Sequence, residues 1–298
     1  MERRQIIDAM TGLKFYGTRK RLALPPVLEG IVSGPERRRM PEAGTERAAE
    51  ASRERQAAAP SALRGIHISH PSGLHAFEWS GRLRFVTTLN AELVLIARRN
   101  PDFRNFLRHN IITVDGQWTL WATRWKRRDG AAVAKQSGYD LLQAAAKACA
   151  RDGRRLFVLG ASAESNARAV ERLTAEHGCR AGGFSPPYAP FPFPEAVDAQ
   201  IRAEVTAARP DVLVVGFGAP KQEFWARDNA GWLSELGVSY VLFLGGAIDM
   251  VAGRFRRAPR LVRRLGLESA YRLAQSPQRF SRELRKLPFL WLFLTGKL

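Results

Sequence analysis

Long apolar runs are missing from this chain. No stretch approaches the roughly 20 consecutive apolar residues that span a bilayer, and the N-terminus has no apolar segment of the signal-peptide kind. The expectation is a protein made and kept in the cytoplasm. Cysteine is nearly absent: Cys149 and Cys179 are the only two, they have no metal-ligand spacing, and each lies in or beside a segment that reads as core. This argues against a disulfide framework and makes a reducing compartment the default. Also missing is any Asp-x-Asp pair, and the five histidines have no ligand-like spacing, so a carboxylate-held divalent metal has no obvious site.

Acidic residues are scarce beside basic ones, 28 against 47, leaving a net charge of +19. Such a charge implies an anionic partner: nucleic acid, an acidic membrane surface or a phosphorylated substrate. Its location narrows the reading, because Arg254 to Lys286 holds eleven Lys or Arg against only Glu268 and Glu283. Within that segment Pro259 is placed to start a helix, Leu261, Leu265 and Leu267 are interleaved with the arginines, and Pro277 breaks the pattern. It reads either as a solvated basic face or as a membrane- or phosphate-binding element. The apolar tail Leu287 to Leu294 is too short to span a bilayer, so it either docks on the core or dips into an interface.

What is present is enough for a core, since 45% of the 298 residues are hydrophobic. The first 60 residues contribute little to it: Glu36-Arg37-Arg38-Arg39 and the Ala/Glu/Arg-rich Thr45 to Ala59 have few aromatic or β-branched side chains. Residues 1–62 are expected to be a largely disordered N-terminal extension. Residues 63–253 are expected to be an α/β domain, and residues 254–298 a basic helical C-terminal appendage.

From Arg64 onward strand and helix signals alternate. Strands are expected at Leu83 to Thr88, Asn110 to Val114, Arg155 to Leu159, Val212 to Val215 and Tyr240 to Leu244. Helices are expected at Ala91 to Arg99, from Ser137 or Gly138 through Ala150, and at Ala163 to His177 and Pro194 to Ala208. This order predicts a Rossmann-like parallel sheet flanked by helices, and ligands bind such sheets outside the carboxyl ends of the strands.

The residues that follow each strand are therefore the candidate site, and nearly all are glycine or small and polar. Val212 to Val215 runs into Gly216-Phe217-Gly218-Ala219-Pro220-Lys221-Gln222-Glu223, a strand, a tight turn and a helix start. Such a turn points backbone N–H groups and a helix dipole at one place, which suits a diphosphate. A dinucleotide fingerprint would carry a third glycine where Lys221 stands, which weakens a nicotinamide reading. Asp115, between an apolar strand and Gly116, is placed either to act as a general base or to cap a helix beginning near Gln117. Asp249, after Gly245-Gly246, is placed either to accept substrate hydroxyls or to cap the next turn.

Several ordered blocks together resemble the WecG/TagA/CpsF glycosyltransferase family over roughly Phe85 to Arg282. They are Thr88-Leu89-Asn90, Val114-Asp115-Gly116, Gly138-Tyr139-Asp140-Leu141, Gly216 to Glu223, Gly245-Gly246 with Asp249 and Gly253, Arg257-Ala258-Pro259, Gly266-Leu267-Glu268 with Tyr271-Arg272, and Pro277 with Arg279 and Arg282. The resemblance implies an inverting, metal-independent enzyme without a cofactor. It would move a sugar from a nucleotide (UDP) sugar to a lipid-diphosphate-linked saccharide, peripheral to the inner face of the cytoplasmic membrane.

It assigns Asp115 as the base and Thr88, Asn90 and Gln222 as substrate contacts. Arg272, Arg279 and Arg282 match arginines that close over the diphosphate. Lys135, Gly216, Gly218, Lys221, Glu223, Asp249 and Arg257 complete the expected binding set. Lys135 replaces the family's usual arginine, keeping the charge without the bidentate fork, and Ser269 stands where a tryptophan is usual. An anionic membrane surface is expected as a partner and nucleic acid is not, while the subunit number, including a homo-oligomer, stays open. The rival reading is a non-catalytic basic protein that binds nucleic acid or acidic lipid.

Overall fold

Five apolar runs become strands of a six-stranded parallel sheet because each alternates its side chains between two covered faces. A computed structural model describes residues 66–126, 132–259, 261–262, 267–275 and 284–298. The expected disordered extension over residues 1–62 lies outside the described residues. The strands are β1 (Arg84–Leu89), β2 (Ile111–Val114), β3 (Arg155–Gly160), β4 (Arg180–Phe184), β5 (Val212–Gly216) and β6 (Tyr240–Phe243). They lie in the order β2-β1-β6-β5-β3-β4, every pair parallel.

Helices cover both faces. Val158, Val214 and Leu242 face one way, against α4 (Gly138–Arg151), α5 (Ala163–His177) and α9 (Gly245–Val251). Phe157, Leu159, Leu213, Val215 and Phe243 face the other way, against α6 (Glu195–Ala208), α7 (Lys221–Asp228) and α8 (Ala230–Glu235). A third cluster near β2 joins α1 (Ala91–Arg99), α2 (Pro101–Arg108) and α3 (Gln117–Lys126). Side-chain caps set the helix starts: Asn90 accepts from the Leu93 N–H, Asn100 from Phe103, Ser137 from Asp140 and Ser162 from Ser165.

The connections explain where a ligand can sit. After β3 the chain crosses by α5 on one face, and after β5 it crosses by α7 and α8 on the other. The two strands are hydrogen-bonded neighbours, with Gly160 opposite Gly216. Chains leaving adjacent strands toward opposite faces open a crevice at the carboxyl edge, the topological switch point.

Several elements went unread in the sequence, among them α8 and α9, and for two others the reason is plain. Strand β4, Arg-Ala-Gly-Gly-Phe, lies at the sheet edge and is mostly half-exposed, so it has no apolar run to announce it. Helix α2 follows α1 after Asn100 alone, and the short break hides it within one longer apolar pattern.

The C-terminal segment contributes α10 (Glu268–Gln275) and α11 (Leu287–Leu294). Helix α11 buries Phe289 and Leu292 in the cluster around α1, and Arg98 donates to the Lys297 carbonyl at 2.8 Å. Two such side chains contribute roughly 2 kcal/mol each to fixing the tail on the domain. Docking on the core, one of the two expectations for this tail, is therefore met for one face of the helix. None of the described helices is long and apolar enough to cross a membrane.

Candidate active site

A cavity of about 430 Å³ opens at the carboxyl edge of the sheet. Each neighbouring strand end delivers residues to it: Thr88 and Asn90 from β1, Asp115 from β2, Gly216, Gly218 and Gln222 from β5, and Gly245 and Asp249 from β6. Lys135, just before α4, also lines it, as do Ser162, Glu92, Trp118, Arg254, Glu268 and Lys286. The last five were not predicted. Glu92 and Trp118 carry the weak signal of standing two or three residues into the helix after a strand, and Glu268 belongs to the Gly-Leu-Glu block.

The two glycines at the switch point have a steric reason. Gly160 has φ +99°, and a Cβ there would stand 3.0 Å from the backbone carbon of Gly216. A Cβ on Gly216 would lie 2.4 Å from Ile248 Cδ1. The floor of the crevice is thus closely packed, Gly160 against the Gly216 backbone and Gly216 against the Ile248 side chain.

Gln222 braces the turn. Its Oε1 accepts from the Gly218 N–H at 3.1 Å, while its Nε2 donates to Glu223 Oε1 at 3.0 Å. Glu223 is fully buried and does not line the cavity; its Oε2 has no hydrogen-bond partner among the described residues. Burial pushes its carboxyl from the ordinary 4.5 up to about 7, with the Gln222 bond opposing and Glu92 adding to the rise.

A stability prediction follows from that carboxyl. Between pH 4.5 and 7 the folded chain keeps a proton that the unfolded chain releases, so stability falls as pH rises through this window, by roughly 3 kcal/mol for this one group. Glu223→Gln is expected to flatten that fall. Urea midpoints at pH 5 and pH 8 check it, and equal pH slopes in both proteins would remove Glu223 as the cause.

Other expected contacts are committed elsewhere. Lys221 faces a second hollow of about 540 Å³, with its ammonium 5.6 Å from the Tyr188 ring centroid and 5.8 Å from that of Phe193, and burial lowers its pKa. Arg257 pairs with Asp140 and lies over the Tyr139 ring at 4.7 Å. Burial alone would raise the Asp140 carboxyl, but the Ser137 hydroxyl and Arg257 outweigh it and hold the group below its ordinary range. Arg257 therefore stands behind the wall of the cavity rather than in it.

Lys135 lines the cavity but pairs with Glu268 at 3.2 Å, both side chains largely buried, which ties α10 to the domain. Asp249 accepts from the Ser165 hydroxyl at 2.8 Å, with Arg254 4.0 Å away. Nothing is described of the Arg272 side chain on α10, and Arg279 and Arg282 lie outside the described residues. Among the described residues, no group of three or more His, Cys, Asp or Glu is placed to hold a metal ion.

A doubly wound sheet with a polar cavity at its switch point, floored by glycine and walled by carboxylates and cations, defines an α/β protein built to hold a charged small molecule. Residues 70–298 match the model of the glycosyl transferase WecG/TagA/CpsF family, and the chain belongs to that family. It is a glycosyltransferase of cell-surface polysaccharide synthesis.

Proposed function

We propose that the protein transfers a sugar from a nucleotide-sugar donor, a UDP-sugar, to a saccharide linked to a lipid diphosphate, with inversion at the anomeric carbon and without a metal ion. One observation carries this reading: Asp115 and the Gly216–Gly218 turn line the same cavity from strands three places apart. Three strand spacings are roughly 14 Å, room for a sugar and a diphosphate between base and turn.

In this arrangement Asp115 accepts the proton of the acceptor hydroxyl as that oxygen bonds to the anomeric carbon. The bond from that carbon to the diphosphate oxygen breaks on the opposite face, and its electron pair leaves with the diphosphate. Main-chain N–H groups of the turn, Lys135 and Arg254 meet the developing charge, joined by Arg272, Arg279 and Arg282 of the appendage. Thr88, Asn90 and Asp249 orient sugar hydroxyls. The second hollow shares Ala161, Ser162, Gly216 and Phe217 with the main cavity and adds Tyr188, Phe193 and Lys221. Its rings suit the planar base of the donor, so the nucleotide crosses the switch point from one hollow to the other. Glu223 and Arg257 then act through Gln222 and Asp140 rather than on substrate. In this reading the enzyme works on its lipid-linked acceptor at the inner face of the cytoplasmic membrane, with the basic appendage against anionic lipid.

A panel of UDP-sugars offered to the full chain with EDTA present tests this. The expected result is hydrolysis of, or transfer from, at least one UDP-sugar at a rate the chelator does not change. No turnover of any nucleotide sugar, with steeply salt-dependent nucleic-acid binding instead, would establish the rival binding-protein reading.

A further inference from the structure

Helix α3 is built the wrong way round for a helix facing water. Its sequence is QWTLWATRWK, and its buried positions are Thr119, Leu120, Ala122 and Thr123. Burying the two threonines has a cost: the Thr119 hydroxyl lacks a hydrogen-bond partner among the described residues, and Thr123 must donate back to the Thr119 carbonyl at 2.8 Å. The large apolar side chains point outward, with Trp118 and Trp121 each 38% exposed and Trp125 59% exposed. Positions 118, 121 and 125 recur at helical spacing, so the three indoles form one stripe.

Helix α11 continues that stripe. While Phe289 and Leu292 dock on α1, Leu287, Trp291 and Leu294 face outward at 55%, 57% and 72% exposure. The two helices meet where the rings of Trp125 and Phe293 pack edge to face at 5.6 Å. Four of the chain's seven tryptophans thus share one surface. Cations rim it: the Lys126 ammonium lies 5.6 Å from the Trp125 ring and that of Lys297 5.2 Å from the Trp291 ring. The surface also reaches the active cavity, because Trp118 and Lys286 line its mouth.

We propose that the outward faces of α3 and α11 form a single docking surface for an anionic bilayer, seating the tryptophans at headgroup depth so that the cavity mouth opens against the membrane. The proposal rests on the reading of the acceptor as lipid-linked and names what orients the enzyme toward it. Indole is the side chain that favours the membrane–water boundary, having an apolar body and one polar N–H. Lysines over and beside the rings match phosphate headgroups, each contributing about 1 kcal/mol near an anionic surface. Neither helix is long enough to span. The orientation follows from connectivity: Trp118 is three residues beyond Asp115, so the helix that begins beside the base also meets the lipid.

The test uses the full chain and its Trp121→Gln/Trp125→Gln variant; neither indole lines the cavity. Flotation with phosphatidylglycerol vesicles, with phosphatidylcholine vesicles as control, measures binding. Quenching of tryptophan emission by brominated lipid measures depth. The wild type is expected to float with the anionic vesicles and be quenched. The variant should bind about tenfold or more weakly while keeping its melting temperature and its turnover of a UDP-sugar in solution.

Equal vesicle binding by the two proteins overturns the proposal, as does a wild type that ignores the vesicles or forms a dimer that the substitutions disperse. If vesicle binding behaves as expected but no UDP-sugar is turned over, the docking surface stands and the catalytic reading falls.

Discussion

Replacing Asp115 with asparagine is expected to lower sugar transfer by about a thousandfold and to leave donor affinity nearly unchanged. The side chains are isosteric and differ in whether they can take a proton. The backbone around position 115 is held independently of the carboxylate, since the Asp115 N–H donates to the Leu89 carbonyl at 2.8 Å and Gly116 accepts the first bond of α3 from Leu120. Asparagine therefore keeps the backbone of the strand end and replaces the group that takes the proton. Steady-state kcat with the preferred donor, together with donor Kd by calorimetry, separates the two effects. Turnover within a fewfold of wild type would take Asp115 out of the proposed role, and a parallel loss of donor affinity would make it a binding residue instead.

Gly160→Ala is expected to cost about 2–4 kcal/mol of stability and to weaken nucleotide-sugar binding with it. Two penalties add at this position. A left-handed φ disfavours any side chain, and the new methyl would press on the Gly216 backbone, which has no flexible end to swing aside. Gly153→Ala is the matched control, because Gly153 also has a positive φ, +65°, but has nothing within 4 Å of the added carbon. It should show the strain alone, about 1 kcal/mol. Urea unfolding of the two variants gives the difference, which reports how closely β3 and β5 approach under the site. Equal losses would mean that the crevice floor has room to yield.

The sheet was largely legible because burial on both faces forces continuous apolar runs such as Leu213-Val214-Val215 and Tyr240-Val241-Leu242. Strand β4 escaped for the same reason reversed, since an edge strand carrying Gly182 and Gly183 needs no such run. Strand ends were equally legible as places for a ligand, and eight of the residues expected there (Thr88, Asn90, Asp115, Lys135, Gly216, Gly218, Gln222 and Asp249) line the cavity together.

The misreadings are concentrated where helical geometry intervenes. Lys221, Gln222 and Glu223 look like one motif, yet successive helix residues diverge by about 100°, so the three point to a side hollow, the cavity and the core. Sequence adjacency cannot separate those environments. Arg257 and Lys135 were both read as substrate contacts; the tertiary fold pairs them with Asp140 and Glu268 across 117 and 133 residues, and only Lys135 still lines the cavity.

The sequence by itself determined the α/β class and marked the carboxyl edge of the sheet, with the carboxylate that follows the second strand, as the place for a candidate site, because hydrophobic period and glycine turns are local signals. Only the tertiary structure decided which cations are already paired, that Glu223 is a buried brace, and that the tryptophans of α3 face out beside the cavity mouth. Those outcomes depend on which distant side chain fills each space, and no local pattern encodes that.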